Sequence, residues 1–279
     1  MSGTIYREVM RRASHLQLVK EYLSGKISRD KYQSELYQNR EMLCTLGINN
    51  WWLGLLARFP RDQWQSTVLL LNQLYAEGLI KSPEPDMRSF NLFEQLVEQT
   101  FKHLPDRYTS IFPEECRVAH ALSSAIRPRS VFVAGSYYGY LAVWLVPGLA
   151  ENGKMVCCDI DPSVSRLARQ NIAALGADDK VDVICEDAER LLTDASDPID
   201  LLVLDAYGSF DHPDSQYHGK AIYAPLIKAA LPRLHEKSFL LVHNAEKNAP
   251  ELAPFFEGIA TARISLFLNT TDHLAVFQL

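Results

Sequence analysis

Small and acidic residues follow two apolar runs in the middle of the chain. The first run, residues 131–134, stops at Gly135, and a second glycine, Gly139, follows four residues later. The second run ends in an Asp-Ile-Asp sequence that begins at Asp159. Glycine lets a backbone approach a ligand closely, and a carboxylate at a strand end can accept hydrogen bonds from two ribose hydroxyls. This combination indicates a nucleoside-binding site.

The spacing of the two glycines restricts the kind of nucleoside. Gly135 and Gly139 form a G-x-x-x-G sequence, whereas NAD-binding proteins carry G-x-G-x-x-G with the pyrophosphate on the helix that follows. No pyrophosphate cradle is recognisable in this stretch. The pattern therefore favours a nucleoside without a pyrophosphate, such as S-adenosylmethionine (SAM).

The elements that must position these residues alternate along the second half of the chain. Apolar runs predict strands at 130–134, 155–159, 181–185, 200–205, 238–243, 262–268 and 273–278. Helical spacing predicts helices at 114–126, 138–149, 163–174, 187–193 and 219–232. This order predicts an α/β fold: a Rossmann-like, doubly wound sheet of seven mostly parallel strands that ends in an antiparallel hairpin.

Ligands of such an open sheet lie beyond the carboxyl ends of its strands. Each of these ends carries a glycine or a polar residue in this chain. They are Gly135, Asp159, Glu186-Asp187, Asp205 and His243-Asn244. We therefore expect all the polar candidates on one rim of the sheet.

The first hundred residues show helical spacing and no convincing strand. The helical segments are residues 7–23, 28–43, 62–78 and 91–104, and the segment 81–89, with two prolines, is expected to be a surface linker. We predict two domains, a helical lid and substrate domain over 1–110 and a SAM-binding domain over 111–279.

Composition is that of an ordinary globular protein. The 279 residues are 47% hydrophobic and 22% charged, with a net charge of −6 and no basic stripe, which argues against a nucleic-acid partner. The absence of a membrane-length apolar stretch and of a signal-peptide pattern leads us to expect a cytoplasmic protein. The neighbouring Cys157 and Cys158 fall on opposite faces of a predicted strand, so we expect reduced, buried thiols.

Residues 110–279 resemble the class I SAM-dependent methyltransferases, and among them the catechol O-methyltransferase-like group. The segments that carry the resemblance are GSYYGYLAVWL, CCDIDPSVSRLARQNI, VICEDAERLL, IDLLVLDAYGSF, FLLVHNAE and LFLNTTDHLAVFQL. These six segments stand in the order of the family. The resemblance implies the family's fold and leaves open the homodimer that is common in it.

The resemblance also implies which residues bind SAM. They are Gly135, Ser136, Tyr137, Gly139, Tyr140, Asp159, Ile160, Asp187, Ala188 and Asp205. Asp159 would bind the ribose, and Ser136 and the two tyrosines would lie near the methionine part. Asp187 has two interpretations, as an adenine contact with Ala188 or as the cap of its own helix. Asp161 is expected to cap the helix that begins at Pro162.

The chain differs from the family pattern at the metal position. Metal-dependent members hold magnesium with an Asp on the fourth strand and an Asp-Asn pair on the fifth; the matching residues here are Asp205, His243 and Asn244. Magnesium prefers oxygen ligands, and an imidazole fits poorly. We therefore expect no metal, although a softer divalent ion stays open. His243 and Asp205 form an acid–base pair in one interpretation and a purely structural hydrogen bond in the other.

Two further family positions are changed. Gly208 stands where the catechol enzymes have their lysine base, and Val133 stands where the family has a carboxylate that holds the ammonium of SAM. Glu114 or Glu115 is a candidate for replacing that carboxylate. The predicted catalytic residues are Asp205, His243 and Tyr207, the last as one of several tyrosines expected around the rim.

Three functions follow from these residues. The first is methyl transfer to a small molecule without a magnesium site. The second is attack on the γ-carbon of SAM, with release of methylthioadenosine. This attack leads either to cyclisation to azetidine-2-carboxylate or to a transfer of the type that nicotianamine synthases perform. SAM is the sole substrate in the cyclisation and a cosubstrate in the transfer reactions. The third is a SAM-binding protein without catalysis.

Overall fold

The computed structural model describes residues 9, 11–59, 61–101 and 111–279. Seven strands form one sheet: β1 Ser130–Ala134, β2 Lys154–Asp159, β3 Val181–Cys185, β4 Ile199–Leu204, β5 Leu234–Val242, β6 Ile264–Leu268 and β7 Leu274–Gln278. Their spatial order is β3-β2-β1-β4-β5-β7-β6. The first five strands are parallel, and β7 runs antiparallel to both β5 and β6. The predicted fold class and the closing hairpin are confirmed.

Helices cover both faces of the sheet. Their bounds are α1 Gln17–Leu23, α2 Arg29–Gln38, α3 Arg40–Thr45, α4 Asn50–Arg58, α5 Gln65–Ala76, α6 Met87–Phe101, α7 Pro113–Ile126, α8 Tyr140–Val143, α9 Pro162–Ala174, α10 Ala188–Asp194, α11 Tyr223–Ala230 and α12 Ala253–Gly258. One face of the sheet packs against α5, α6, α7 and α9. The other face packs against α10, α11 and α12. Cys157 and Cys158 lie on these two opposite faces as buried free thiols, which confirms their expected state.

Several predicted helices are shorter than expected. The helix predicted at 28–43 is divided into α2 and α3, and the one predicted at 219–232 is α11 with a 3-10 turn on each side. The helix predicted at 138–149 is a single α-helical turn, α8, followed by a 3-10 turn at Val146–Gly148. Pro147 lacks the N–H that a continuing helix needs, so the α-helix cannot extend through it. The helix predicted at 7–23 is interrupted at residues 14–16, and α1 starts at Gln17. The parts of the helical predictions at 7, 8, 10 and 102–104 lie outside the described residues.

The helical part of the chain contributes to two separate cores. Residues between Val9 and Ala57 form a core of their own, in which Phe112 also lies. Residues of α5 and α6 belong instead to the core of the sheet. The domain boundary at residue 110 stays a prediction. Within the described part of the chain, no helix is long and apolar enough to cross a membrane.

Candidate functional site

The turn after β1 brings the chain close to the end of β4. Gly135 has φ +83° and Gly139 has φ +81°, a left-handed region that glycine occupies without strain. A Cβ on Gly135 would overlap the backbone of Ala206, and one on Gly139 would touch Ala168 and Ile172 at 3.5 Å. The fold itself therefore favours glycine at both positions, whether or not a ligand is bound. Gly135 lines the cavities described below, whereas Gly139 lines neither.

Asp159 ends β2 and faces this turn. Its Oδ2 accepts a hydrogen bond from the backbone N–H of Tyr137 at 3.0 Å, and its Oδ1 accepts one from the N–H of Asp161 at 3.1 Å. Burial raises the pKa of Asp159, against the lowering effect of these two amides. A carboxylate held in this way keeps a fixed orientation toward the cavity beside it.

Two cavities meet at the carboxyl ends of the strands. The first, the nucleoside cavity, has a volume of about 390 Å³ and includes Ile160, Asp187 and Ala188 in its lining. The second, the rim cavity, has a volume of about 690 Å³ and includes Asp205, Lys220 and His243. Four residues line both: Gly135, Asp159, Ala206 and Tyr207. The two cavities therefore adjoin at these four residues and together form the candidate site.

The predicted adenine contacts lie in the nucleoside cavity. The side chain of Ile160 is 71% exposed there, so it presents an unpartnered apolar surface. Asp187 caps α10 by accepting a hydrogen bond from the backbone N–H of Arg190 at 3.0 Å. Asp187 therefore caps its helix and lines the cavity as well. Asp161 caps α9 through the N–H of Ser163, as predicted.

The residues predicted to contact the methionine part have three different placements. Tyr137, at φ +46°, lines the rim cavity, and its hydroxyl donates to that of Tyr138 at 2.9 Å. Ser136 is 2% exposed, and no described group bonds to its Oγ. Tyr140 lies in the core with its ring 5.1 Å from that of Phe101 and lines neither cavity.

A chain of charged groups runs from the rim cavity into the protein interior. The Nδ1 of His243 lies 2.8 Å from Oδ1 of Asp205, and its Nε2 lies 3.3 Å from Oε2 of Glu115 on α7. The same Glu115 oxygen accepts the N–H of Phe112 at 2.8 Å, and its other oxygen accepts that of Asp272 at 2.9 Å. His243 and Glu115 are both buried, so their charges must compensate each other.

This pairing decides the protonation of His243. Burial alone would favour the neutral imidazole, but the carboxylates of Asp205 and Glu115 outweigh it and raise the pKa of His243 to about 10. Burial by itself would raise the pKa of both carboxyl groups. The positive charge of His243 nevertheless holds the pKa of Glu115 below its ordinary value. The charges of His243 and Lys220 do the same for the pKa of Asp205. At neutral pH His243 is an imidazolium that donates both ring N–H groups, so it has no lone pair with which to act as a base.

Lys220 is the site residue that sequence reasoning missed. Its Nζ lies 3.0 Å from Oδ1 of Asp205 and 3.2 Å from the Asp205 carbonyl oxygen. It stands 15 positions after Asp205 and belongs to no recognisable motif, so only the fold brings it there. Gly208 and Gly219 pair across the loop between them. A Cβ on Gly208 would overlap the carbonyl oxygen of Tyr217, so the returning segment fills the place where the family pattern puts its lysine.

The acid pair at the start of α7 holds the loop between β6 and β7. Glu114 accepts hydrogen bonds from the backbone N–H and the hydroxyl of Thr271. Burial and the neighbouring charge of Glu115 raise the pKa of Glu114 to about 7, against those hydrogen bonds. Neither glutamate lines the rim cavity. The hypothesis that one of them replaces the carboxylate missing at Val133 therefore gains no support.

Comparison with known proteins agrees with this geometry. Residues 132–245 match a protein-family model described as a methyltransferase domain. The catechol O-methyltransferase of Mycobacterium tuberculosis is 34% identical over 86 residues, which are 30% of this chain and 39% of that protein. That of Niastella koreensis is 23% identical over 101 residues, 35% of this chain and 46% of that protein. The chain thus spans less than half the length of these two relatives.

Solved structures share the fold at low sequence identity. An O-methyltransferase from Bacillus cereus, in complex with SAH, superposes with a TM-score of 0.52 at 17% identity and covers 76% of this chain and 97% of its own. The O-methyltransferase TomG from Streptomyces achromogenes, in complex with SAM, gives the same score and identity over 78% and 97%. These likenesses establish the fold of the sheet and its helices.

Proposed function

We propose that the sheet domain of this chain belongs to the class I SAM-dependent methyltransferase family and is similar to the catechol O-methyltransferase-like group. We propose further that the chain transfers the methyl group of SAM to a small molecule without magnesium. The observation that carries the proposal is the pair of adjoining cavities. One end is lined by an apolar side chain and by Asp159, and the other by the Lys220–Asp205–His243 chain. The relatives named above act as methyltransferases, which supports the same reaction class here.

The charges around the rim cavity support a cationic cosubstrate. Its lining contains four aspartates against one lysine and the imidazolium of His243; the aspartates are Asp159, Asp161, Asp205 and Asp272. SAM carries a sulfonium and an ammonium, both of which an excess of carboxylates attracts. The lining holds one lysine and no arginine, which disfavours a nucleic-acid acceptor, because a phosphate backbone needs several cations. We infer a small-molecule acceptor.

The side chains at the family's metal position do not fit magnesium. Oδ1 of Asp205 is shared by the ammonium of Lys220 and the imidazolium of His243, and both nitrogens of His243 face carboxylates. The amide nitrogen of Asn244 donates to the carbonyl oxygen of Asp272. A divalent cation here would meet two positive groups, and Oδ2 is the oxygen of Asp205 that neither of them engages.

The chemistry that remains is displacement at the sulfonium. A lone pair of the acceptor attacks the methyl carbon, the carbon–sulfur bond breaks toward sulfur, and S-adenosylhomocysteine (SAH) is the second product. The protein's contribution is to align the two reactants and exclude water. His243, held as an imidazolium, fixes Asp205 and does not take the acceptor proton. No observation favours attack on the γ-carbon of SAM or a loss of catalysis over this reaction.

The first experiment measures SAH binding and SAM products together. We expect calorimetry to detect SAH binding by the wild type, and Asp159→Ala to weaken it about 100-fold or more, because two charge-assisted hydrogen bonds to ribose are lost. Asp178→Ala, at an exposed aspartate outside both cavities, is the matched control.

Mass spectrometry of the protein with SAM and a panel of hydroxyl, carboxyl and amine acceptors then identifies the reaction. Formation of SAH together with a methylated acceptor supports methyl transfer. Methylthioadenosine in its place would overturn the proposal, and so would a wild type that binds no SAH.

A further inference from the structure

We propose that Lys220 binds the acceptor through a single ionised oxygen. The protein then selects molecules with one phenolate or carboxylate oxygen beside a ring, and a vicinal diol is not required. The inference rests on the proposed function, since it names the acceptor of that reaction. It comes from the position, hydrogen bonds and neighbours of one side chain.

Lys220 has one donor left for a ligand. An ammonium group has three N–H donors and no acceptor. Two are directed at Asp205, at its Oδ1 and at its carbonyl oxygen. No other described group accepts a hydrogen bond from this ammonium, and Lys220 lines the rim cavity. The third N–H is therefore available to an acceptor atom inside that cavity.

The surroundings keep this ammonium charged and in place. Its side chain is 12% exposed and is paired with Asp205, so it is largely withdrawn from bulk water. The ring of Tyr223 lies with its centroid 5.1 Å from Nζ, and that of Tyr207 lies at 5.9 Å. Both rings present their negative faces to a cation at such distances. A fixed positive charge in a partly desolvated cavity lowers the pKa of a bound acidic hydroxyl and stabilises its anion.

The shape of this donor sets the specificity. A lysine ammonium acts as a point charge with one free N–H here, whereas a divalent metal or an arginine engages two oxygens at once. One oxygen of the acceptor is therefore recognised. Tyr207 lines the rim cavity and is 65% exposed, so its ring is free to stack against a planar acceptor.

The methyl transfer needs neither a metal nor a side chain that takes up the proton of the acceptor. The acceptor loses its proton to solvent and binds as the oxyanion. One oxygen lone pair forms the new bond to the methyl carbon of SAM, and the carbon–sulfur pair goes to sulfur. A methyl ether or ester and neutral SAH leave the site, and the ammonium of Lys220 remains an ammonium throughout.

The test uses 4-nitrophenol and benzoate as probes on the full chain saturated with SAH. At a pH where free 4-nitrophenol is mostly protonated, we expect the wild-type complex to increase the visible absorption of 4-nitrophenolate. Lys220→Met is expected to abolish this increase and to weaken the binding of the preferred probe about 10- to 100-fold, the loss of a hydrogen bond to a charged group. Lys220→Arg should restore part of the binding. Lys228→Met, at an exposed lysine of α11, is the control and should change nothing.

The probes also distinguish the two kinds of oxygen. Binding of 4-nitrophenol identifies a phenolate site, and binding of benzoate alone identifies a carboxylate site. 4-Nitrocatechol should bind no more than about threefold more tightly than 4-nitrophenol, with or without a chelator.

Three results would overturn the proposal. They are a Lys220→Met complex that binds the probes as the wild type does, a wild-type complex that binds neither probe, and a strong preference for the catechol. If SAH itself does not bind, the proposed function fails. If SAH binds but the probes do not, only the role of Lys220 fails.

Discussion

Gly135, which the sequence assigns to ligand binding, is also required by the packing of the protein itself. The sequence argument assigns it to close approach of SAM, but the space of its missing Cβ is filled by the backbone of Ala206 at the end of β4. Both residues line both cavities. The glycine therefore determines how near two neighbouring strand ends come, and through this the width of the site.

Gly135→Ala is expected to destabilise the protein by about 3 kcal/mol or more, because the new methyl group meets backbone atoms that cannot rotate away. Gly176→Ala is the matched control. Gly176 also has a positive φ, +66°, but its Cβ would meet nothing within 4 Å, so only the backbone penalty of about 1 kcal/mol applies. Urea unfolding measures both free energies. Equal losses in the two variants would show that the contact with Ala206 does not matter.

His243 joins two carboxylates from distant parts of the chain. Its hydrogen bond to Asp205 follows from the sequence, because both residues end neighbouring parallel strands. The bond to Glu115 does not, since Glu115 lies on α7 and is 128 positions away. Removal of the imidazolium leaves a buried carboxylate without its partner, which is costly.

His243→Gln should therefore lower the free energy of unfolding by about 3 kcal/mol near pH 6.5. The pKa of His243 is raised to about 10 in the folded protein. Its contribution is therefore complete below the unfolded value of about 6.5 and is lost as the pH rises toward 10, by at most about 1.4 kcal/mol per pH unit. The wild-type advantage also falls in acid, as Asp205 and Glu115 become protonated.

Urea titrations between pH 4 and 10 measure this difference. His235→Gln, at a half-exposed histidine paired with Asp200, is the control and should cost less than about 1 kcal/mol. A wild-type advantage that stays constant from pH 6.5 to 10 would contradict an imidazolium at position 243.

The strands are the elements that sequence reasoning predicts best. β1 and β3 have the predicted bounds, Ser130–Ala134 and Val181–Cys185. In β1 the cause is a buried apolar run, which is typical of a strand covered on both faces. β3 is an edge strand in which apolar residues stand on both sides of the exposed Asp182. The polar rim follows from the same runs. Helix length is harder to predict: α8 stops after one turn, since Pro147 outweighs the apolar spacing around it.

The connection between β4 and α11 is the element that no local pattern predicts. Its two ends meet at the bridge between Gly208 and Gly219, and this closure delivers Lys220 to Asp205. The pairing depends on the path of the loop between Gly208 and Gly219 and on a glycine that leaves room for a carbonyl group. Charge and spacing alone do not show such a contact. The lysine is therefore found only in the folded chain.

The helices that precede the sheet divide between two cores. Leu36 of α2 is fully buried among residues of the N-terminal helices, whereas Leu70 of α5 is fully buried in the core of the sheet. A direct ion pair, 2.8 Å from Arg58 to Asp272, connects the first group to the loop at the rim cavity. This surface pair is weak by itself. We expect the N-terminal core to lose stability without loss of the nucleoside cavity, because no residue of that core lines the cavity.

Leu36→Ala and Leu70→Ala test this division. Each removes a buried leucine and should cost about 2–5 kcal/mol of local packing. We expect Leu36→Ala to accelerate hydrogen exchange over 17–58 while the amides of β1 to β5 stay protected and SAH still binds. Leu70→Ala should accelerate exchange in the sheet as well and weaken SAH binding. Equal acceleration over the whole chain in both variants would mean that the two cores unfold together, and the helices before the sheet would then be part of the site's own stability.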